Sequence, residues 1–290
     1  MVTTPTTPPW RSYVAMGDSF TEGLWDVLDS DGVPSPDLST WATANPHDPD
    51  VPTLRLRGWA DLLAQHLARR RQEPLSYANL AIRGKLLGPI VEEQLEPAIA
   101  LRPDLVSFVG GGNDILRASV DIDSISAQLE EAVVRLRAEG IDVLLATGFD
   151  MKSHSMLSAT RSRVALFNAN ISSIARRHGA YVLDLWGMRS LRDPECWSED
   201  RIHLLAKGHE RVAQAALAGL GLAADDPAWD DAEIDLPQLP VREQLAHNAA
   251  WVRHHAYPWA TRRFRGTSSE VERLPKFPEY VEVVDGDPPD

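Results

Sequence analysis

The run Tyr13-Val14-Ala15-Met16-Gly17-Asp18-Ser19 decides how this chain is read: four apolar residues stop at a Gly-Asp-Ser turn. That pattern is a short buried strand running straight into a tight turn. The same unit recurs downstream. Apolar runs at 75–80, 105–109, 141–146 and 181–185 read as four more strands. Helical spacing fills the intervals. Trp59, Leu62, Leu63, His66 and Leu67 mark a helix over 59–70, and Ile125, Leu129, Val133 and Leu136 mark another over 122–138. Further helices are predicted over 86–100, 158–178 and 205–220. Apolar strands alternating with helices imply βαβ units and a parallel sheet covered on both faces. The expected fold is therefore α/β, a three-layer α/β/α domain with a central parallel five-stranded sheet over residues 10–222.

Two stretches depart from this rhythm. The segment 26–53 carries Pro34, Pro36, Pro46, Pro49 and Pro52 and keeps neither helical nor strand periodicity. A connection this long inside a compact domain is usually functional or disordered. With Trp25 beside it and Trp41 within it, it reads either as a partial lid over the site or as a solvated loop. Residues 223–290 read as an acidic, Pro-containing linker and tail. Val241, Leu245, Ala249, Val252 and Ala256 recur at helical spacing there, which predicts a short helix docked on the domain.

The formal net charge of -13 works against non-specific binding to nucleic acid or anionic membrane, despite the small basic patch Arg262, Arg263 and Arg265. No stretch reaches the roughly 18 apolar residues needed to span a bilayer. The opening MVTTPTTPPW has neither a basic n-region nor an apolar h-region, and the single cysteine, Cys196, excludes an internal disulfide. A cytoplasmic location is the expectation.

In a doubly wound sheet, sites gather at the carboxyl ends of the strands. Gly17-Asp18-Ser19, Ala81-Ile82-Arg83-Gly84 and Gly110 to Asp114 all follow strands, and Asp200-Arg201-Ile202-His203 follows the fifth. Acyl transfer needs that set. A serine hydroxyl becomes nucleophilic when a base takes its proton, and histidine suits the task near neutral pH. A carboxylate orients the imidazole, and donors await the oxyanion. Ser19, His203 and Asp200 fill the first three roles, with Gly84 and Asn113 as donors. Taken singly, each motif also reads as a turn or a helix cap.

Together the blocks resemble those of SGNH/GDSL hydrolases, in their actinobacterial-like, intracellular esterase form. Gly17-Asp18-Ser19-Phe20 is similar to the first block, with Phe20 in place of the namesake Leu. Asn79 to Gly84 resembles the second, Gly111-Gly112-Asn113-Asp114 the third, and Asp200-Arg201-Ile202-His203 the fifth. The resemblance spans about residues 12–220. It implies a flavodoxin-like arrangement of the sheet and a triad of Ser19, Asp200 and His203. It also implies an oxyanion hole built from the Ser19 and Gly84 backbone N–H groups and the Asn113 amide. The activity implied is cleavage of a small-molecule ester through an acyl-serine intermediate, with no cofactor and no metal.

Other readings remain beside it. An acyltransferase uses the same machinery with a different acceptor, and a non-catalytic binding module keeps only the fold. A flavodoxin-like cofactor protein is a third reading. Residues 110–112 lack the Lys-Ser/Thr of a P-loop, and Thr21 breaks a Gly-x-Ser-x-Gly elbow around Ser19. His209 is read as a packing residue and His254-His255 as a solvated helix end, while for His154, after the fourth strand and near the expected rim, substrate contact is the less favoured of its readings. Cys196, with no base of its own, reads as inert.

Overall fold

The computed structural model describes residues 7–35, 55–117, 119–150, 158–231 and 274–284. In chain order its strands are β1 (Ser12–Gly17), β2 (Val27–Leu28), β3 (Arg55–Leu56), β4 (Leu75–Asn79), β5 (Leu105–Val109), β6 (Asp142–Ala146), β7 (Tyr181–Leu183) and β8 (Phe277–Val283). The helices are α1 (Ser19–Glu22), α2 (Trp59–Arg69), α3 (Leu87–Ala100), α4 (Gly112–Ile115), α5 (Ile122–Ala138), α6 (Arg161–His178) and α7 (Ala206–Gly219).

The main sheet runs β7-β6-β5-β1-β4-β8. From β7 to β4 every pairing is parallel, with Val14 opposite both Ala78 and Val106. Alternation along β1 divides the core into two layers. Tyr13 and Ala15 pack with Leu63 and Leu67 of α2 and Val212 and Ala216 of α7. Val14 and Met16 face Ile90 of α3, Leu129 of α5 and Phe167 of α6. Each such fully buried aliphatic side chain contributes about 1.5–3 kcal/mol. That is why the central strands are apolar on both faces.

The sheet has six strands among the described residues, one more than the five expected. β8 comes from the stretch read as tail and pairs antiparallel with β4, matching Leu75 with Val283 and Tyr77 with Val281. Beyond β1 the strand β4 would otherwise be an open edge, and an open edge exposes unpaired N–H and C=O groups. Residues 241–256, where a docked helix was expected, lie outside the described residues. So do 36–54, most of the Pro-rich stretch. Its first residues are more ordered than their composition implied, since β2 pairs with β3 as a separate two-stranded ribbon.

The strand order sends the chain from β1 to β4 on one side and to β5 on the other. This is the flavodoxin-like pattern, and the crevice outside the carboxyl ends of β1 and β5 is its switch point. Both Gly-rich turns open there.

Candidate active site

The turn after β1 is shaped by close approach. A Cβ on Gly17 would stand 2.6 Å from both Thr21 Oγ1 and the Val109 carbonyl oxygen, so only glycine fits. Both backbone polar groups of Gly17 are taken by one buried side chain. Its N–H donates to Gln94 Oε1 at 2.8 Å, and Gln94 Nε2 donates to its carbonyl at 2.9 Å. Asp18 then caps α1 by accepting from the Phe20 N–H at 3.1 Å. Ser19 thus becomes the first residue of a helix, where backbone N–H groups lack intrahelical acceptors. Among the described residues its own N–H has none.

Ser19 is only 8% exposed. Its Oγ lies 2.8 Å from His203 Nε2, and His203 Nδ1 lies 2.6 Å from Asp200 Oδ2. With Nδ1–H donating to the carboxylate, Nε2 is left to accept the serine proton. The other oxygen of Asp200 accepts from Ser198 Oγ at 2.6 Å and from the Ile202 and His203 N–H groups at 2.9 Å. The turn is tied to the nucleophile's side of the site by the Trp25 N–H, which donates to the Leu204 carbonyl at 2.6 Å. Trp25 is buried with Leu24, Val27 and Leu56, and its ring stands edge-on 6.3 Å from that of His203.

Burial disfavours charge on both partners of this pair, and in both cases the partner outweighs it. Asp200 is held well below the ordinary carboxylate range by the His203 charge and by the donors around it. His203 is raised above the ordinary imidazole value by the Asp200 charge and hydrogen bond. Asp18 behaves differently. Burial pushes it up to about 6, against the Phe20 N–H and the His203 charge.

Gly84 sits at φ +80°, a left-handed conformation that side chains disfavour. It is held from both sides. Arg83 binds Glu22 through its backbone N–H at 2.8 Å, through Nε at 2.9 and 3.0 Å, and through Nη2 at 2.5 Å. On the other side the Lys85 carbonyl accepts from Asn113 Nδ2 at 2.9 Å. The Gly84 N–H has no acceptor among the described residues. Asn113 is engaged more fully than its expected role implies, because its amide also donates to Asp18 Oδ2 at 3.0 Å. Both amide hydrogens are therefore directed within the protein.

The structure thus gathers Ser19, Gly84, Asn113, Asp200 and His203 on one rim. Beside Ser19 and His203 opens a cavity of about 120 Å³, walled by Phe20, Val109, Leu116, Phe149, Val164 and Phe167. An arrangement of this kind can activate a hydroxyl, hold an apolar acyl group beside it and offer backbone donors to an oxyanion. Among the described residues no group of three or more His, Cys, Asp or Glu side chains is placed to hold a metal. No helix among them is long and apolar enough to cross a membrane.

Sequence reasoning missed Gln94, the Glu22–Arg83 pair and the use of Asp114, whose buried carboxylate accepts from the Leu87 N–H at the start of α3. A glutamine on the buried face of a helix was the available signal for the first. His209 is a packing residue, as expected. It is fully buried, its Nδ1 accepts from the Trp59 N–H, its Nε2 donates to the Leu24 carbonyl, and burial lowers it to about 3. Cys196 is buried with its thiol pushed up to about 11, which makes it unreactive. His154, Trp41, His254, His255 and the basic patch of Arg262, Arg263 and Arg265 lie outside the described residues.

Residues 15–211 match the GDSL-like lipase/acylhydrolase family. No curated protein matches the chain. Among solved structures, the chain is similar to Axe2, an acetylxylan esterase from Geobacillus stearothermophilus, at 18% identity and a TM-score of 0.53, covering 75% of this chain and 97% of that one. It is also similar to LAE5, an α/β hydrolase enzyme from the metagenome of Lake Arreo, at 23% identity and a TM-score of 0.55, covering 73% and 95%. A third likeness is to the acetyl xylan esterase AlAXEase, at 18% identity and a TM-score of 0.51, covering 71% and 98%. At these identities the likeness is one of fold.

Proposed function

The chain belongs to the GDSL-like lipase/acylhydrolase family, and from that premise we propose how its site works and which esters it takes. It is a carboxylic ester hydrolase. The observation that carries the mechanism is the relay Ser19–His203–Asp200, with spacings of 2.8 and 2.6 Å, opening on an apolar cavity. Ser19 Oγ attacks the ester carbonyl carbon while His203 Nε2 takes its proton, and Asp200 stabilises the imidazolium. The oxyanion is met by the N–H groups of Ser19 and Gly84. Asn113 joins them by turning one N–H away from Asp18. Collapse breaks the bond to the alcohol oxygen, which leaves with the proton from His203. Water then attacks the acyl-Ser19 in the same way and releases the acid.

The cavity limits the acyl group. At about 120 Å³ it is somewhat smaller than the roughly 150 Å³ hole that accommodates benzene in a protein core, so acyl chains of about two to six carbons fit. We therefore read the enzyme as a short-chain acyl esterase. Acetylated carbohydrates are the first natural class to test, a choice supported by the likeness to acetylxylan esterases. A cytoplasmic location is part of this proposal, supported by the unpaired, buried Cys196.

Mass spectrometry after treatment with a fluorophosphonate tests the mechanism. One adduct, located on Ser19 and prevented by acid that protonates His203, is expected. An adduct on another residue, or none at neutral pH, would refute the assignment and favour the non-catalytic binding module.

A further inference from the structure

Next to the acyl cavity lies a second one, of about 310 Å³. Two residues, Phe149 and Leu185, line both. The Phe149 ring stands between an aromatic neighbour on each side. Phe20, next to the nucleophile, is 6.4 Å away, and Trp197, in the wall of the second cavity, is 4.7 Å away. Met188 and Leu191 continue that wall in apolar side chains. The backbone leading to Phe149 is pinned. Gly148 donates to Asn168 Oδ1 at 2.7 Å and accepts from Asn168 Nδ2 at 2.9 Å. The ring of Phe149 thus forms part of the partition between the two cavities.

We propose that Phe149 is a specificity-determining residue that closes the acyl channel, and that the second cavity is a latent subsite for the distal methylenes of a medium-chain acyl group. This rests on reading the cavity beside Ser19 as the acyl site. With the ring in place, a chain of more than about six carbons meets it end-on. With the ring removed, the two cavities join through the space that Phe149 fills. A methylene that moves from water into apolar surroundings gains about 0.8 kcal/mol, or about fourfold in kcat/KM. The charged residues of the second cavity do not bar such a chain. Asp150 is engaged by Arg161 at 2.6 and 3.1 Å, and Arg192 is solvent-exposed.

The test is the ratio of kcat/KM for p-nitrophenyl octanoate over butyrate in the wild type, in Phe149→Ala and in Phe149→Leu, with circular dichroism as the control for folding. The ratio is expected to rise at least tenfold in Phe149→Ala and by a smaller step in Phe149→Leu. Adding Met188→Phe to Phe149→Ala should refill the second cavity and lower the ratio again, which a mere loosening of the fold would not do. An unchanged ratio in folded variants would overturn the proposal. If Phe149→Ala does not fold, Phe149→Leu decides alone, by the same ratio. Failure of the Ser19 mechanism gives a different result, since the wild type would then escape fluorophosphonate labelling whatever its chain-length preference.

Discussion

Lys276, just before β8, is the residue through which the C-terminal strand reaches the catalytic half of the molecule. Its Nζ donates to Asp61 Oδ2 at 2.6 Å, to the Glu22 carbonyl at 2.8 Å and to the Leu56 carbonyl at 3.0 Å. Asp61 is 2% exposed and also accepts from the Gly58 N–H at 2.6 Å and the Tyr77 hydroxyl at 2.8 Å. Lys276→Met keeps most of the side-chain volume and removes the cation. Leaving one member of a fully buried pair unpaired costs about 3–5 kcal/mol. Three neutral donors stay on Asp61, the third being Asn79 Nδ2 at 3.5 Å, and Lys276 is partly exposed, so about 2–3 kcal/mol is expected here. For a domain of this size each 1 kcal/mol lowers Tm by about 2–4 °C, which gives a drop of roughly 4–12 °C. Calorimetry of the full chain reads it. Adding Asp61→Asn should restore much of the loss, because the stranded charge disappears with its partner. A Tm for Lys276→Met within about 1 °C of wild type would refute the reasoning and make β8 a passive edge cover.

The remaining predictions concern the site. His203 must be neutral to act as a base and is held above the usual imidazole value, so kcat/KM should rise with pH through a midpoint above about 6.5. Asp200→Asn removes the cause of that elevation and should move the midpoint down while lowering activity, and a wild-type midpoint below 6 would contradict the account. Glu22→Gln loosens the clamp on Arg83 that holds the Gly84 N–H, so steady-state kinetics should show kcat falling about 10- to 100-fold with KM nearly constant. A rise in KM alone would assign the clamp to binding instead. Asn113→Ala should cost about 10²–10³ in kcat if its amide turns to the oxyanion, whereas a loss under threefold would mean that it only anchors Asp18 and Lys85.

Much of this was legible beforehand because the signals are local. Leu105–Val109 and Ile122–Ala138 occupy the positions their periodicity indicated, since an apolar run and a 3.6-residue spacing are both contained in one element. The rim was legible for a related reason: a parallel sheet brings the ends of successive strands together, so the order of the motifs implied their convergence. What escaped depends on partners far apart in the chain. β8 hides in a Pro- and acid-rich stretch, and only pairing with β4, about 200 residues earlier, makes it a strand. Nothing in the spacing of Glu22 and Arg83 joins them, and Gln94 serves Gly17 from 77 residues away. Asn113 shows the same limit at closer range. Its identity and position were readable, but its bond to Asp18 depends on how two loops meet.

The most direct test of the central claim is the hydrolysis of p-nitrophenyl acetate by the wild type and by Ser19→Ala, with folding verified by circular dichroism. The relay of Ser19, His203 and Asp200 predicts ready turnover by the wild type and a loss of at least about 10³-fold in the variant. Equal rates from the two folded proteins would contradict it.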